Sequence, residues 1–199
     1  MSMKGFTLIE TMVAVSILTL AVAGPLFTAN RALVAAAIAR DQLTASYLAQ
    51  EGIEYLRAMR DNEFLIAYRA NGSTASSVGW SSFVTSVERY CLSSLCTLDP
   101  ALPSVPMGYG SGYSLAPVSG DARLYLTNCT SGSGGLSCTA PNVYTARQDL
   151  SGSVRTVFTR TISAVHISAD EEQIVSTVSW NYHGTTYTMR VTDHLTSWQ

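Results

Sequence analysis

Residues 4–31 read KGFTLIETMVAVSILTLAVAGPLFTANR, and this stretch decides the fold. Between Glu10 and Arg31 no residue is charged, which leaves 20 consecutive uncharged positions. As an α-helix they would extend about 30 Å at about 1.5 Å per residue. That length matches the hydrocarbon core of a bilayer, which is about 30 Å thick. Lys4 precedes the run, so the short N-terminal side is predicted to stay cytoplasmic and the rest of the chain to lie outside.

Three details of this stretch do not suit a plain membrane anchor. Glu10 lies near the start of the apolar run, and a carboxylate at the bilayer centre costs about 2.5–3.5 kcal/mol on insertion scales. Pro25 removes one helical hydrogen bond and crowds the carbonyl of Ala21, which predicts a kink or local melting. The step from Gly5 to Phe6 is an abrupt change from a short polar leader to an apolar helix.

Residues 4–14, KGFTLIETMVA, resemble the N-terminal signature of type IV pilins and pseudopilins. The resemblance implies that residues 1–5 are a leader, which prepilin peptidase removes by cutting between Gly5 and Phe6. Phe6 then becomes the N-methylated first residue. Glu10 matches the glutamate held to neutralise the N-terminal amine of a neighbouring subunit during assembly. This charge pair is physically reasonable, because a buried carboxylate and a buried ammonium are tolerable only as a pair.

The resemblance further implies a structural role without catalysis or cofactor. The chain is expected to be a minor subunit of a type IV pilus-like filament, with a pseudopilin of a type II secretion or competence system as the alternative. Its implied partners are other pilin subunits, prepilin peptidase and the inner-membrane assembly platform. It would begin as a single-pass membrane protein and end in an extracytoplasmic filament.

Two other interpretations of the N-terminus stay open. Ala21-Val22-Ala23 forms an A-x-A site, so a secretory signal peptide cleaved before Gly24 is one alternative. An ordinary single-span anchor is the other. Either would carry an exported binding module or hydrolase, although Glu10 interrupts the early apolar region of a signal peptide.

The helix is predicted to continue past the spanning segment 6–30 and through residues 31–61. This second stretch contains no proline and one glycine, Gly52, and good helix formers dominate it. Its apolar residues recur at spacings of 3, 4 and 7 and indicate one face that packs on a globular head. They are Val34, Ile38, Ala45, Leu48, Tyr55 and Met59.

Residues 62–199 are predicted to form a β-rich head. Three segments rich in β-branched and aromatic residues lie near the C-terminus, at 154–168, 173–183 and 185–195, and favour an antiparallel meander. Shorter strands are predicted at 122–127 and 142–146, and residues 83–90 fit either a strand or a short helix. The fold class is therefore α+β, a long N-terminal helix packed on a C-terminal antiparallel sheet.

The four cysteines, Cys91, Cys96, Cys129 and Cys138, all follow the apolar run, and an even count in an exported segment favours disulfides. Two local pairs, Cys91 with Cys96 and Cys129 with Cys138, are favoured among the three possible connectivities. A cross-pairing such as Cys91 with Cys138 stays open. A zinc site made by all four is the weaker alternative, because the spacings fit it poorly.

Composition and motifs give no catalytic, metal or nucleic-acid site. The formal net charge is −2 and only one lysine is present, whereas nucleic-acid binding usually needs a basic patch. His166, His183 and His194 have no second ligand at metal spacing along the chain, and no G-x-S-x-G is present. Residues 170–172, Asp-Glu-Glu, are predicted to be a solvated turn, with a cation contact as the alternative.

Overall fold

The computed structural model describes residues 7–71, 75–99, 115–118, 120–127, 142–146 and 153–197. They form two helices and seven strands, and the chain divides into two compact units, Met1–Leu43 and Thr44–Gln199. A helix at the N-terminus and an antiparallel sheet at the C-terminus confirm the predicted α+β class. The elements, in chain order, are α1 Leu8–Asn71, α2 Ala75–Cys91, β1 Cys96–Thr97, β2 Ala116–Pro117, β3 Arg123–Leu126, β4 Tyr144–Thr145, β5 Val154–Ser168, β6 Glu171–Tyr182 and β7 Thr185–Thr196.

Helix α1 is 64 residues long and ends at Asn71, ten positions beyond the predicted end at 61. Residues 62–71 contain neither proline nor glycine, so nothing in them stops a helix. Glu63 and Ala67 are fully buried and follow Leu56 and Met59 on one face. The prediction was too short because this last part of the face places a carboxylate where an apolar residue would be expected.

Helix α2 was predicted only as a strand or short helix over 83–90, and that prediction was wrong in extent. It runs for 17 residues, and its close approach to α1 is made possible by Gly79. A Cβ atom at this glycine would lie 2.9 Å from the Cα of Phe64 and 3.1 Å from the backbone oxygen of Glu63. Next to this glycine, Trp80 Nε1 donates a hydrogen bond of 2.7 Å to the carbonyl of Ala169.

Strands β5, β6 and β7 form the predicted antiparallel meander. Ala169 and Asp170 connect β5 to β6, so the turn is shorter than predicted and Glu171 and Glu172 belong to the strand. His183 and Gly184 connect β6 to β7 with φ of 49° and 85°. Positive φ at both central residues is characteristic of a type I′ turn, whose twist matches that of the strands it joins.

The four short strands extend the sheet beside β5. Strand β1 pairs with β5 and β2, and β3 pairs with β5 and β4, all antiparallel. Asp121, just before β3, accepts hydrogen bonds from Arg123 at 2.8 Å and from Arg155 of β5 at 3.1 Å. The bond from Arg123 is the main cause that lowers the pKa of the Asp121 carboxyl.

The core of the head lies between one face of the sheet and two helical segments, residues 44–71 of α1 and α2. Alternate residues of β6 are buried, which is the pattern of a strand covered on one side. The helix and the sheet approach each other closely at Gly52, where a Cβ would lie 2.7 Å from Ser176 Oγ and 3.1 Å from Ile162 Cδ1. The predicted apolar face of α1 is therefore in the core from Ala45 onward, whereas Val34 is exposed.

A buried arginine ties α1 to the middle of the sheet. The side chain of Arg160, on β5, is fully buried, and its guanidinium donates hydrogen bonds to three acceptors. They are the Leu48 carbonyl at 3.1 Å, the Glu51 carboxylate at 2.5 Å and the Leu98 carbonyl at 3.3 Å. Buried charges are tolerated only when paired and hydrogen-bonded, so this contact fixes where the helix crosses β5.

Candidate functional site

The first turn of α1 is held by a cap at Thr7. Thr7 Oγ1 accepts a hydrogen bond of 3.3 Å from the backbone N–H of Glu10, and the Thr7 carbonyl accepts a second from the same N–H at 3.1 Å. Threonine followed three positions later by glutamate is the sequence pattern of a capping box. Glu10 is thereby placed in the first helical turn, where the helix dipole favours a negative charge. No described residue forms an ion pair with its carboxylate.

The N-terminal part of α1 exposes an unusual amount of apolar surface. All of residues 7–36 are exposed, with Leu8 at 78%, Leu20 at 74% and Leu33 at 71%. The helix is long and apolar enough to cross a membrane. An apolar surface of this size on a single chain marks contact with a membrane or with other proteins.

Hydroxyl side chains in this stretch hydrogen-bond within the helix itself. Thr11 Oγ1 donates to the Leu8 carbonyl at 2.8 Å, and Thr19 Oγ1 donates to the Ser16 carbonyl at 2.9 Å. The hydroxyl of Ser16 donates in turn to the carbonyl of Met12. In a medium without water each polar group needs an internal partner, and these hydroxyls have one.

The helix is continuous through Pro25, so the local melting expected there is not found; the kink stays a prediction. Thr28 Oγ1 donates to the carbonyls of Gly24 at 3.3 Å and Pro25 at 2.9 Å, one turn after the proline ring. Arg31 ends the charge-free run, and its guanidinium carbon lies 4.8 Å from the ring centroid of Phe27. This contact covers the charge with an aromatic face at the end of the spanning stretch.

Comparison with known proteins identifies the N-terminus and nothing beyond it. Residues 1–24 match the family described as the prokaryotic N-terminal methylation motif. The chain carries the prepilin signature of type IV pilins and pseudopilins. No curated protein and no solved structure matches the chain. The signature supports a type IV pilin-like substrate of prepilin peptidase, and the exposed helix fits a membrane-anchored precursor.

The residues predicted from the prepilin signature divide between described and undescribed parts of the chain. The cleavage site at Gly5 and Phe6, and the methylation of Phe6, lie outside the described residues. Glu10 lies within them, on the exposed first turn of α1, and its role in assembly stays a prediction.

The cysteines divide in the same way. Cys91 and Cys96 form a disulfide that closes the end of α2, with Cα atoms 4.9 Å apart. Cys129 and Cys138 lie outside the described residues.

One group of side chains in the head escaped prediction. Glu88 of α2, His166 of β5 and Glu172 of β6 converge, although the sequence indicated no metal-ligand spacing for His166 and a solvated turn for Glu172. Glu172 is instead fully buried. The predicted β5–β6 hairpin could have indicated this contact, because its register pairs His166 with Glu172. The contribution of Glu88 had no signal in the sequence, because residues 83–90 were predicted only as either a strand or a short helix.

The electrostatics of this group are shaped by burial and by the short contact between His166 and Glu172. The hydrogen bond that the Glu172 carboxylate accepts from His166 raises the pKa of the His166 imidazole, and the charges of both carboxylates add to the effect. Burial raises the pKa of the Glu172 carboxyl, which His166 partly opposes and Glu88 reinforces. The protonation of His166 and that of Glu172 therefore depend on each other and on the nearby charge of Glu88.

Proposed function

We propose that this chain is a minor structural subunit of a type IV pilus-like filament, in which residues 6–30 pack as part of the filament core. One observation carries the proposal: the prepilin signature continues directly into an exposed, charge-free helical surface. Such a surface is stable in lipid or in a bundle of like helices, and it is unstable in water.

Glu10 selects the packing partner in this proposal. A carboxylate buried without a partner costs about 3 kcal/mol at the bilayer centre and less near the headgroups, where the first turn of the helix would lie. The N-terminal ammonium of a neighbouring processed subunit would neutralise it, and the pair would define one axial register between adjacent helices. The peptidase step creates that ammonium at Phe6, so processing and assembly are linked through one charge pair.

The head stays outside the cytoplasm in this proposal and performs no catalysis. A disulfide at Cys91 and Cys96 suits an oxidising compartment. The head would decorate the filament, which fits a minor subunit better than one that must repeat along its whole length.

The N-terminus of the mature protein tests the first half of the proposal. Mass spectrometry of the protein from membranes is expected to find an N-methylated Phe6 as the first residue. A mature chain that begins at Gly24, or an unprocessed chain, would contradict the proposal, because it would indicate a secretory signal or a plain anchor.

Assembly tests the second half. Glu10→Gln is expected to be processed normally but to be depleted from sheared extracellular filaments. The matched control is Glu54→Gln, which removes an exposed carboxylate from the same helix and should assemble normally. Normal incorporation of Glu10→Gln would remove the charge pair from the mechanism. Recovery of wild-type protein in cell membranes alone, with none in sheared filaments, would favour a pseudopilin.

A further inference from the structure

Three ligand-type side chains from three different elements meet at the edge of the head core. Glu88 comes from α2, His166 from β5 and Glu172 from β6. One nitrogen or carboxylate oxygen from each lies within 4.8 Å of those of the other two. This site is in the head and shares no residue with the prepilin signature or the spanning stretch.

One of the two measured distances already suits a pair of ligands of a small cation, and the other is shorter than such a pair requires. His166 Nδ1 lies 2.5 Å from Glu172 Oε1 and 3.4 Å from Glu88 Oε1. Around a tetrahedral zinc ion with ligands at about 2.0–2.2 Å, donor atoms lie roughly 3.3–3.6 Å apart. Side-chain movements of about 1 Å would therefore bring the three donors to bonding distance of one central ion.

The burial of Glu172 is a second, independent observation that favours a cation at this position. Its side chain is fully buried, and its second oxygen, Oε2, has no hydrogen-bond partner among the described residues. A buried carboxylate oxygen without a hydrogen-bond partner is unfavourable, most of all when the group is charged. A cation between Glu172 and Glu88 would satisfy that oxygen and relieve the repulsion between the two carboxylates.

We propose that Glu88, His166 and Glu172 bind one divalent transition-metal cation of the Zn²⁺ type. Two carboxylates and a neutral imidazole balance a 2+ charge, and an imidazole ligand favours zinc over magnesium and calcium, which take oxygen ligands. His166 is 47% exposed and Glu88 is 33% exposed, so solvent reaches the ion and a fourth position stays open. The ion would join α2 to the β5–β6 hairpin one turn before the disulfide at Cys91.

Zinc binding by the full-length chain in detergent micelles, stripped with a chelator that is then removed, tests the proposal. Equilibrium dialysis against ZnCl₂ is expected to give one tightly bound ion per chain, and ZnCl₂ should raise the Tm where CaCl₂ and MgCl₂ do not. Cys129 and Cys138 are replaced by serine in a parallel sample, which removes any contribution from their thiols and should leave binding unchanged.

Single substitutions locate the ion. Glu88→Gln and His166→Asn are each expected to weaken zinc binding by at least about tenfold. The matched control is His194→Asn, because His194 Nδ1 also contacts a glutamate, Glu171 at 2.6 Å, but belongs to no such cluster among the described residues. Glu88 is partly exposed, so its variant should keep the metal-free Tm of the wild type and separate lost binding from lost folding.

Three results would overturn the proposal. They are absence of bound zinc in the wild type, loss of binding in the serine sample, and equal weakening by His194→Asn. In the first case the cluster is an ion pair between His166 and two carboxylates. None of these results bears on processing at Phe6, so the filament proposal is tested separately.

Discussion

Gly52→Ala separates two opposite effects on the stability of the head. Alanine is favoured over glycine inside a helix by about 1 kcal/mol. The new methyl group, however, would lie 2.7 Å from Ser176 Oγ and 3.1 Å from Ile162 Cδ1. Overpacking of a well-packed core typically costs about 1–3 kcal/mol. We therefore expect Gly52→Ala to lower the free energy of unfolding by about 1 kcal/mol, after the gain in helix propensity is subtracted.

The identity of the closest atom sharpens this prediction. Ser176 Oγ has no hydrogen-bond partner among the described residues, so Ser176→Ala removes an unsatisfied buried hydroxyl at little cost. In the Ser176→Ala background the methyl group of Gly52→Ala would meet the Ser176 Cβ position at 3.4 Å, an ordinary contact, and Ile162 Cδ1 at 3.1 Å. The cost of Gly52→Ala should then shrink or reverse, which gives a coupling energy of about 1 kcal/mol between the two sites.

Urea denaturation of the full chain in micelles measures these values, because the buried Trp80 and Trp180 report on the head core. Ala58→Gly, at an exposed position of the same helix, calibrates the local helix-propensity difference without a packing term. The close approach at Gly52 would be refuted if Gly52→Ala stabilised the head by the calibrated amount in both backgrounds.

Three further predictions concern the rest of the head. Arg160→Ala is expected to lower the free energy of unfolding by about 3–5 kcal/mol, because Glu51 and two backbone carbonyls lose a buried partner. Glu51→Gln should lower it by less, and the same urea denaturation measures both variants. The double substitution Cys91→Ser and Cys96→Ser should cost about 2 kcal/mol under oxidising conditions, and a difference that persisted in reductant would contradict a cross-link origin. Asp121→Asn should lower stability at pH 7 by up to about 1 kcal/mol. Because the folded-state pKa of Asp121 lies below its ordinary 3.8, that difference should hold above pH 3.8 and close as the pH falls further, which a pH series of unfolding curves checks.

The parts of the fold that were predictable follow from local patterns. The meander of β5, β6 and β7 was visible because turn residues separate three segments rich in β-branched and aromatic residues. Helix α1 was visible because residues 6–61 combine an uncharged stretch with a regular apolar face. The pairing of Cys91 with Cys96 followed from a short spacing in a segment predicted to be exported.

The parts that were missed depend on contacts between distant residues. Helix α2 is rich in serine and valine, which are poor helix formers, and it is stabilised by close packing at Gly79 and by Trp80. Glu63 and Glu172 lie on buried faces although their residue type predicts exposure. Arg160 meets Glu51 across 109 positions of sequence, which no local pattern encodes.

The hydroxyls that bond within α1 have a consequence for how this helix changes environment. Thr11, Ser16 and Thr19 keep their hydrogen bonds whether lipid tails or neighbouring helices surround them. In the proposed assembly, their transfer from lipid to a helix bundle would break none of these hydrogen bonds. Glu10, between the cap and Ala29, would be the side chain whose free energy differs strongly between the two media, so the direction of transfer would depend on whether its carboxylate has a charge partner.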